Sequence, residues 1–132
     1  MSRLFARALL DVAVIDVQNP VVLGTHDAPQ PDLVLLAPRA DAYRKHPRAK
    51  DILLVIEVSD STLAYDRDVK MPLYADAGIP EAWLVNLPED RIEVYRDPVA
   101  GEYASIHLVT HGAVVTPLQF PDATFAADDI LG

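Results

Sequence analysis

The stretch Asp51–Asp60, "DILLVIEVSD", decides how this chain folds. Ile52 to Ile56 and Val58 form an apolar run that Glu57 alone interrupts. Such a run, rich in β-branched residues, reads as a strand covered on both faces. A carboxylate near its carboxyl end needs a partner, a metal or water, because burying it alone is very costly. Glu57 therefore has to face something polar.

The flanking segments build a sheet around this strand. Upstream, "PDLVLLAP" (31–38) is a second compact apolar strand, with an acid at its entry and Pro38 at its exit. "VAVIDV" (12–17) is a third, closed by Asn19-Pro20, and "VVL" is a short extension of it before the turn "GTHDAPQP". Residues 2–10 read as a helix with Leu4, Phe5, Ala8 and Leu9 on one face. Downstream of "SDSTLAYDRD", Val69, Leu73 and Ala77 recur at helical spacing, with Tyr74 beside Leu73 and Gly78 as the stop. Pro72 is awkward there, and predicts either a kink or a helix that starts late. "EAWLVNL" (81–87) is another buried strand, "PEDR" turns into "IEVYR" (92–96) as a hairpin, and "EYASIHLV" (102–109) pairs next. This order predicts an α/β (α+β) fold with a mixed sheet and a helical crossover.

Composition narrows the function classes. At 132 residues the chain reads as a single domain, 1–132, and 51% hydrophobic residues exclude a disordered one. No apolar run approaches the roughly 18–20 residues of a membrane span. The N-terminus, "MSRLFARALLD", lacks the apolar block and cleavage site of a signal peptide. The absence of cysteine removes disulfides and thiolate metal sites, and suits a cytoplasmic protein. A net charge of −9 opposes nucleic-acid binding unless cations gather or carboxylates hold a cation. Arg39, Arg44, Lys45, Arg48 and Lys50 do gather within one segment, which is either a solvated loop or a phosphate contact. His26, His46, His107 and His111 show no ligand spacing. Trp83 and Tyr74 read as core packing rather than base-stacking platforms.

Three residues carry the candidate chemistry. If the strands at 31–37 and 51–58 are neighbours, Asp32 and Glu57 approach each other at one end of the sheet. Two carboxylates with a carbonyl such as that of Val58 would make an oxygen site for Mg²⁺ or Mn²⁺. Lys70, on the following helix, could then orient or deprotonate a water, or steady a transition state. Each has a plainer alternative: Asp32 as a turn acid, Glu57 as a solvated or Lys70-paired carboxylate, Asp66 with Lys70 as an exposed i,i+4 pair.

From Gln18 to about Tyr95 the chain resembles the Uma-type family of restriction-endonuclease-like proteins, within the PD-(D/E)XK nuclease superfamily. The resemblance rests on "QNPVVL", "QPDLVLL", "LLVIEVSDSTLAYDRDVKMPLYADAGIPEAWLVNL" and "IEVYRDP". It implies a restriction-endonuclease-like mixed central sheet with flanking helices, an αβββαβ core, divalent-metal binding and phosphodiester hydrolysis. Asp32 then stands as the acid of the "PD" element and Glu57 as that of the "E-x-K" element. Ser59 occupies the place of the usual lysine, whose role passes to Lys70. Gln18, in the family-like "QNPV" element, is an accessory candidate or a strand-end hydrogen-bonding residue, and Ser59 and Asp66 are accessory candidates. Independently of the resemblance, the charge pattern makes Arg44, Lys45 and Arg48 the expected nucleic-acid contacts.

The resemblance also implies residues before this point in other family members, including an acid-bearing helix, so a chain beginning at Met1 is expected to lack that acid. The expectation is a Mg²⁺- or Mn²⁺-dependent endonuclease-like protein with weak, salt-sensitive DNA affinity, working as a homodimer. The alternative is an inactive relative that serves as a binding or dimerisation module.

Overall fold

The computed structural model describes residues 2–9, 13–17, 21, 23, 29–38 and 47–132. Six strands, β1 (Val14–Val17), β2 (Leu33–Leu36), β3 (Ile52–Ser59), β4 (Glu81–Asn86), β5 (Arg91–Val99) and β6 (Glu102–Thr110), lie in that order in one sheet. Neighbours run antiparallel except β3 and β4, which are parallel. A parallel pair requires a crossover connection. Here it consists of α2 (Leu63–Tyr65), a π turn (Asp66–Lys70) and α3 (Met71–Asp76). The predicted hairpin forms as β4–β5, with Leu87–Asp90 as its turn. Val21 and Leu23, the described residues of "VVL", lie outside any strand.

Alternation of side chains along the strands divides the core in two. On one face Leu35, Ile56, Trp83 and Val94 meet Phe5 and Leu9 of α1 (Ser2–Leu9). Phe125, in the short strand β8 (Phe125–Ala126), closes that side together with β7 (Val114–Val115) and α4 (Ala127–Leu131). The Phe5 ring lies 4.3 Å from Phe125 and 5.8 Å from Trp83, centroid to centroid. On the other face Val34, Val55, Ala82, Leu84 and Tyr95 meet Met71, Tyr74 and Ala75 of α3. β4 is buried along its whole length, as a strand covered on both faces must be.

Two helical faces differ from the sequence reading. In α1, Phe5 and Leu9 are buried but Ala8 is exposed. In the crossover, Val69 is 48% exposed, whereas Asp66, Met71, Tyr74 and Ala75 are buried. The π turn explains the shift. The Met71 N–H reaches the Asp66 carbonyl, five residues back, which widens the turn and rotates everything before it relative to α3. It also resolves Pro72, which falls within the first two positions of α3, where a missing N–H costs little. The regular helix α3 thus starts late, at Met71, as Pro72 predicts. Among the described residues, no helix is long and apolar enough to cross a membrane.

Two polar ties hold the C-terminal segment to the sheet. Glu81, fully buried, accepts hydrogen bonds from Trp83 Nε1 (2.8 Å), Arg96 Nε (3.0 Å) and the Leu118 backbone N–H (2.7 Å). His111 bridges Asp90 and Asp128, its Nε2 and Nδ1 each 2.7 Å from a carboxylate oxygen. Both ring nitrogens can donate at once only in the imidazolium form. The bonds to Asp90 and then Asp128 accordingly raise the His111 pKa above its ordinary value.

Replacing Glu81 by Ala leaves the part-buried Arg96 guanidinium with the Thr116 carbonyl alone, so Glu81→Ala should lose about 1.5–3 kcal/mol in urea unfolding. Amide-exchange protection over residues 114–126 should fall with it. For His111, a folded-state pKa above the unfolded one adds stability at low pH and loses it as pH rises through the folded value. The melting temperature of the wild type relative to His111→Gln should therefore fall as pH rises from about 6 to about 8.5. Parallel curves would contradict the bridge.

Candidate active site

The carboxyl ends of two parallel strands form a natural crevice in an α/β sheet. Glu57 and Ser59 lie near that end of β3, and Asn86 ends β4. The antiparallel partners begin there: Asp32 immediately precedes β2, and Glu93 lies near the start of β5. Glu57 pairs with Leu84, which pairs with Glu93, so the two acids point to the same face from strands on either side of β4. That face is the one the crossover helix covers.

Glu57 retains only 1% of its accessible surface. Its Oε2 accepts a hydrogen bond from Tyr74 OH at 2.6 Å and an ion pair from Lys70 Nζ at 3.2 Å. Its Oε1 receives the Asp32 backbone N–H at 3.3 Å. Asp32 in turn accepts the Val58 backbone N–H on Oδ2 at 2.7 Å. The acids therefore meet across the β2–β3 boundary, each held by the other's strand. Burial raises the Glu57 pKa, against the opposing pull of Tyr74 and Lys70.

Lys70 sits between two carboxylates, 3.2 Å from Glu57 and 3.4 Å from Asp66 Oδ1. Burial alone would lower its pKa, but Glu57 and then Asp66 outweigh it and raise the value. The ammonium keeps its proton at neutral pH. Asp66 is itself buried, and its Oδ2 accepts hydrogen bonds from Ser59 Oγ and from Thr62 Oγ1, the latter at 2.8 Å. The 66/70 pair is thus an interior contact and not a solvated helix pair.

Glu93 makes the contrast. It is 2% exposed and accepts bonds from Arg67 Nε (3.2 Å) and Nη2, Tyr95 OH (2.6 Å) and Asn86 Nδ2 (2.9 Å). Burial pushes its pKa up, but these donors, Arg67 foremost, bring it below the ordinary range. Of two buried acids in one cross-strand row, Glu93 is the saturated ion pair with a lowered pKa and Glu57 the one whose pKa burial raises. Perturbation of that kind favours Glu57 as the functional group.

Asp32, Glu57, Ser59, Asp66 and Lys70, named from the sequence, come together. Val58 contributes its N–H to Asp32. Arg48 is exposed, and its N–H binds Asp51 Oδ2 at 3.0 Å. Gln18, Arg44 and Lys45 lie outside the described residues. Tyr74 is core, as expected, but its hydroxyl also holds Glu57, which the sequence reading missed. Its position one helical turn after Lys70 was the available signal. The Glu93 cluster gave no comparable warning, because its members are scattered between residues 67 and 95.

Among the described residues no group of three or more Asp, Glu, His or Cys side chains is arranged to hold a metal ion. The Asp32–Glu57 pair offers hard oxygen donors only. Such a pair fits Mg²⁺ or Mn²⁺, which accept one or two carboxylates and keep several waters.

The whole chain can now be compared with known proteins. A family model described as "Putative restriction endonuclease" matches residues 1–128. A crystal structure from Anabaena variabilis, described as "a putative nuclease belonging to DUF820", superposes with a TM-score of 0.75 at 14% identity. The match covers 98% of this chain and 75% of that one, and shows a shared nuclease-like fold. No curated protein matches. The chain is a member of the Uma2 family of restriction-endonuclease-like proteins.

Proposed function

We propose that the protein is a divalent-metal-dependent endonuclease acting on DNA, with Asp32, Glu57 and Lys70 at its centre. The observation that carries this reading is the convergence of two acids and an ammonium at one sheet end, with Lys70 3.2 Å from Glu57. Asp32 and Glu57, with the carbonyl of Val58, would hold the cation. When bound, it lowers the pKa of a water and neutralises phosphate charge. Tyr74 fixes the Glu57 carboxylate by donating to Oε2 at 2.6 Å, leaving Oε1 turned towards Asp32. Lys70 Nζ, between Glu57 and Asp66, would orient the attacking water and steady the phosphorane charge by donating.

Ser59 takes no part in the chemistry by this reading. It holds Asp66, which helps to hold Lys70, and thereby replaces a strand lysine with one supplied from the helix. The chain's charge of −9 predicts DNA affinity that is weak and steeply salt-dependent. Two copies would bring two such sites to a duplex. β6 is an edge strand with Ile106 57% and Leu108 51% exposed, and its central residues carry no lysine, arginine or proline to block pairing.

Plasmid nicking in Mg²⁺ or Mn²⁺ tests the site. Wild type should cut, Glu57→Ala should not, and Lys70→Met should be slower by about 10²–10³-fold. Equal cutting by wild type and Glu57→Ala would leave a non-catalytic binding module as the better reading. Light scattering tests the pairing: a dimeric wild type and a monomeric Ile106→Lys/Leu108→Lys variant are expected, and a monomeric wild type would refute it.

A further inference from the structure

A lysine stem is flexible and cannot place its own ammonium. The scaffold beneath Lys70 is also weak. α2, the π turn and α3 follow one another without a break from Leu63 to Asp76, fourteen residues in all, a length at which a helix alone is only marginal. Its apolar contacts run through Met71, Tyr74 and Ala75 of α3, and the Tyr74 hydroxyl pins that end to Glu57 at 2.6 Å. Something else must set how the π turn lies on the sheet.

The π turn has an anchor on each side of β4. Asp66 reaches β3 through Ser59 Oγ. The next residue, Arg67, reaches β5 through Glu93, with Nε at 3.2 Å and Nη2 on the second oxygen. Because β3, β4 and β5 are consecutive in the sheet, the turn straddles β4 with its feet about 10 Å apart. A two-bond arginine–carboxylate fork fixes orientation as well as distance. Glu93 is a rigid receptor, since Asn86 and Tyr95 also hold it. Glu93 and Glu57 share one cross-strand row, so an anchor on the first sets the helix over the second.

We propose that Arg67 and Glu93 are positioning residues for Lys70, locking the π turn so that Nζ stands between Glu57 and Asp66. The catalytic consequence rests on the nuclease reading above; the positioning itself does not.

The chain has three lysines, Lys45, Lys50 and Lys70, so an ¹⁵N spectrum of the side-chain ammonium groups is simple to read, with Lys70→Met as the assignment control. Metal-free wild type should show Lys70 as a protected resonance, distinct from an exposed lysine. In Arg67→Gln, and in Arg67→Gln/Glu93→Gln, it should move towards the exposed position. The double variant removes both charges together, and Arg91, whose Nη2 also lies 3.4 Å from Glu93, keeps its pair with Glu89 at 3.0 Å, so it should keep the fold even where Arg67→Gln does not. With Mn²⁺ and plasmid, kcat should fall about 10–100-fold, as expected of a misplaced group, with KM within about twofold. The double variant should be no slower than Arg67→Gln, because both remove one anchor. An unmoved Lys70 resonance in the folded double variant would overturn the proposal, as would additive losses in kcat. A moved resonance beside a wild type that cuts no DNA would sink the nuclease reading and leave the anchor standing.

Discussion

Glu57 is a carboxylate buried to 1% exposure at the end of a strand that is otherwise apolar, and its need for donors organises this protein. An unpaired charge there would be strongly destabilising. Three donors come from three elements: the backbone ahead of β2, the π turn and α3. Meeting them requires β2 beside β3, the crossover helix on the Glu57 face, and a helical phase that brings residues 66, 70 and 74 towards the sheet. The π turn supplies that phase.

The cost of such a cluster is visible in its charge balance. Lys70 serves two acids, and Glu57 keeps a raised pKa despite it. Glu93 shows what the same fold does with a carboxylate that serves as an anchor: a bidentate arginine, an amide and a phenol saturate it. Glu81, on the opposite face, is saturated in a similar way by Arg96, Trp83 and a backbone N–H. Of the two acids in the cross-strand row, Glu57 keeps a raised pKa and Glu93 a lowered one, and a perturbation by burial at a sheet end is what marks a candidate functional group.

Much of the fold was legible in the sequence. The strands at 31–38, 51–58, 81–87 and 92–96 stand out because each is short, apolar and bounded by Pro, Gly or charged turns. The β4–β5 hairpin follows from the four-residue polar turn between them. The crossover helix was placed correctly but its buried face was misjudged, since Val69, Leu73 and Ala77 obey a period of 3.6 that the π turn breaks. Periodicity assumes a regular helix and cannot anticipate an inserted residue.

The chain by itself determined the local elements and the types of residue available for chemistry: Asp32 and Glu57 at strand ends, Lys70 one turn after Asp66. Short-range preferences and hydrophobic pattern suffice for these. Only the tertiary structure decided that Asp66 is buried with Ser59, that Tyr74 holds Glu57, and that Arg67 grips Glu93 from 26 residues away. Those pairings depend on strand order and register, which emerge when the whole sheet assembles and which no local run of residues specifies.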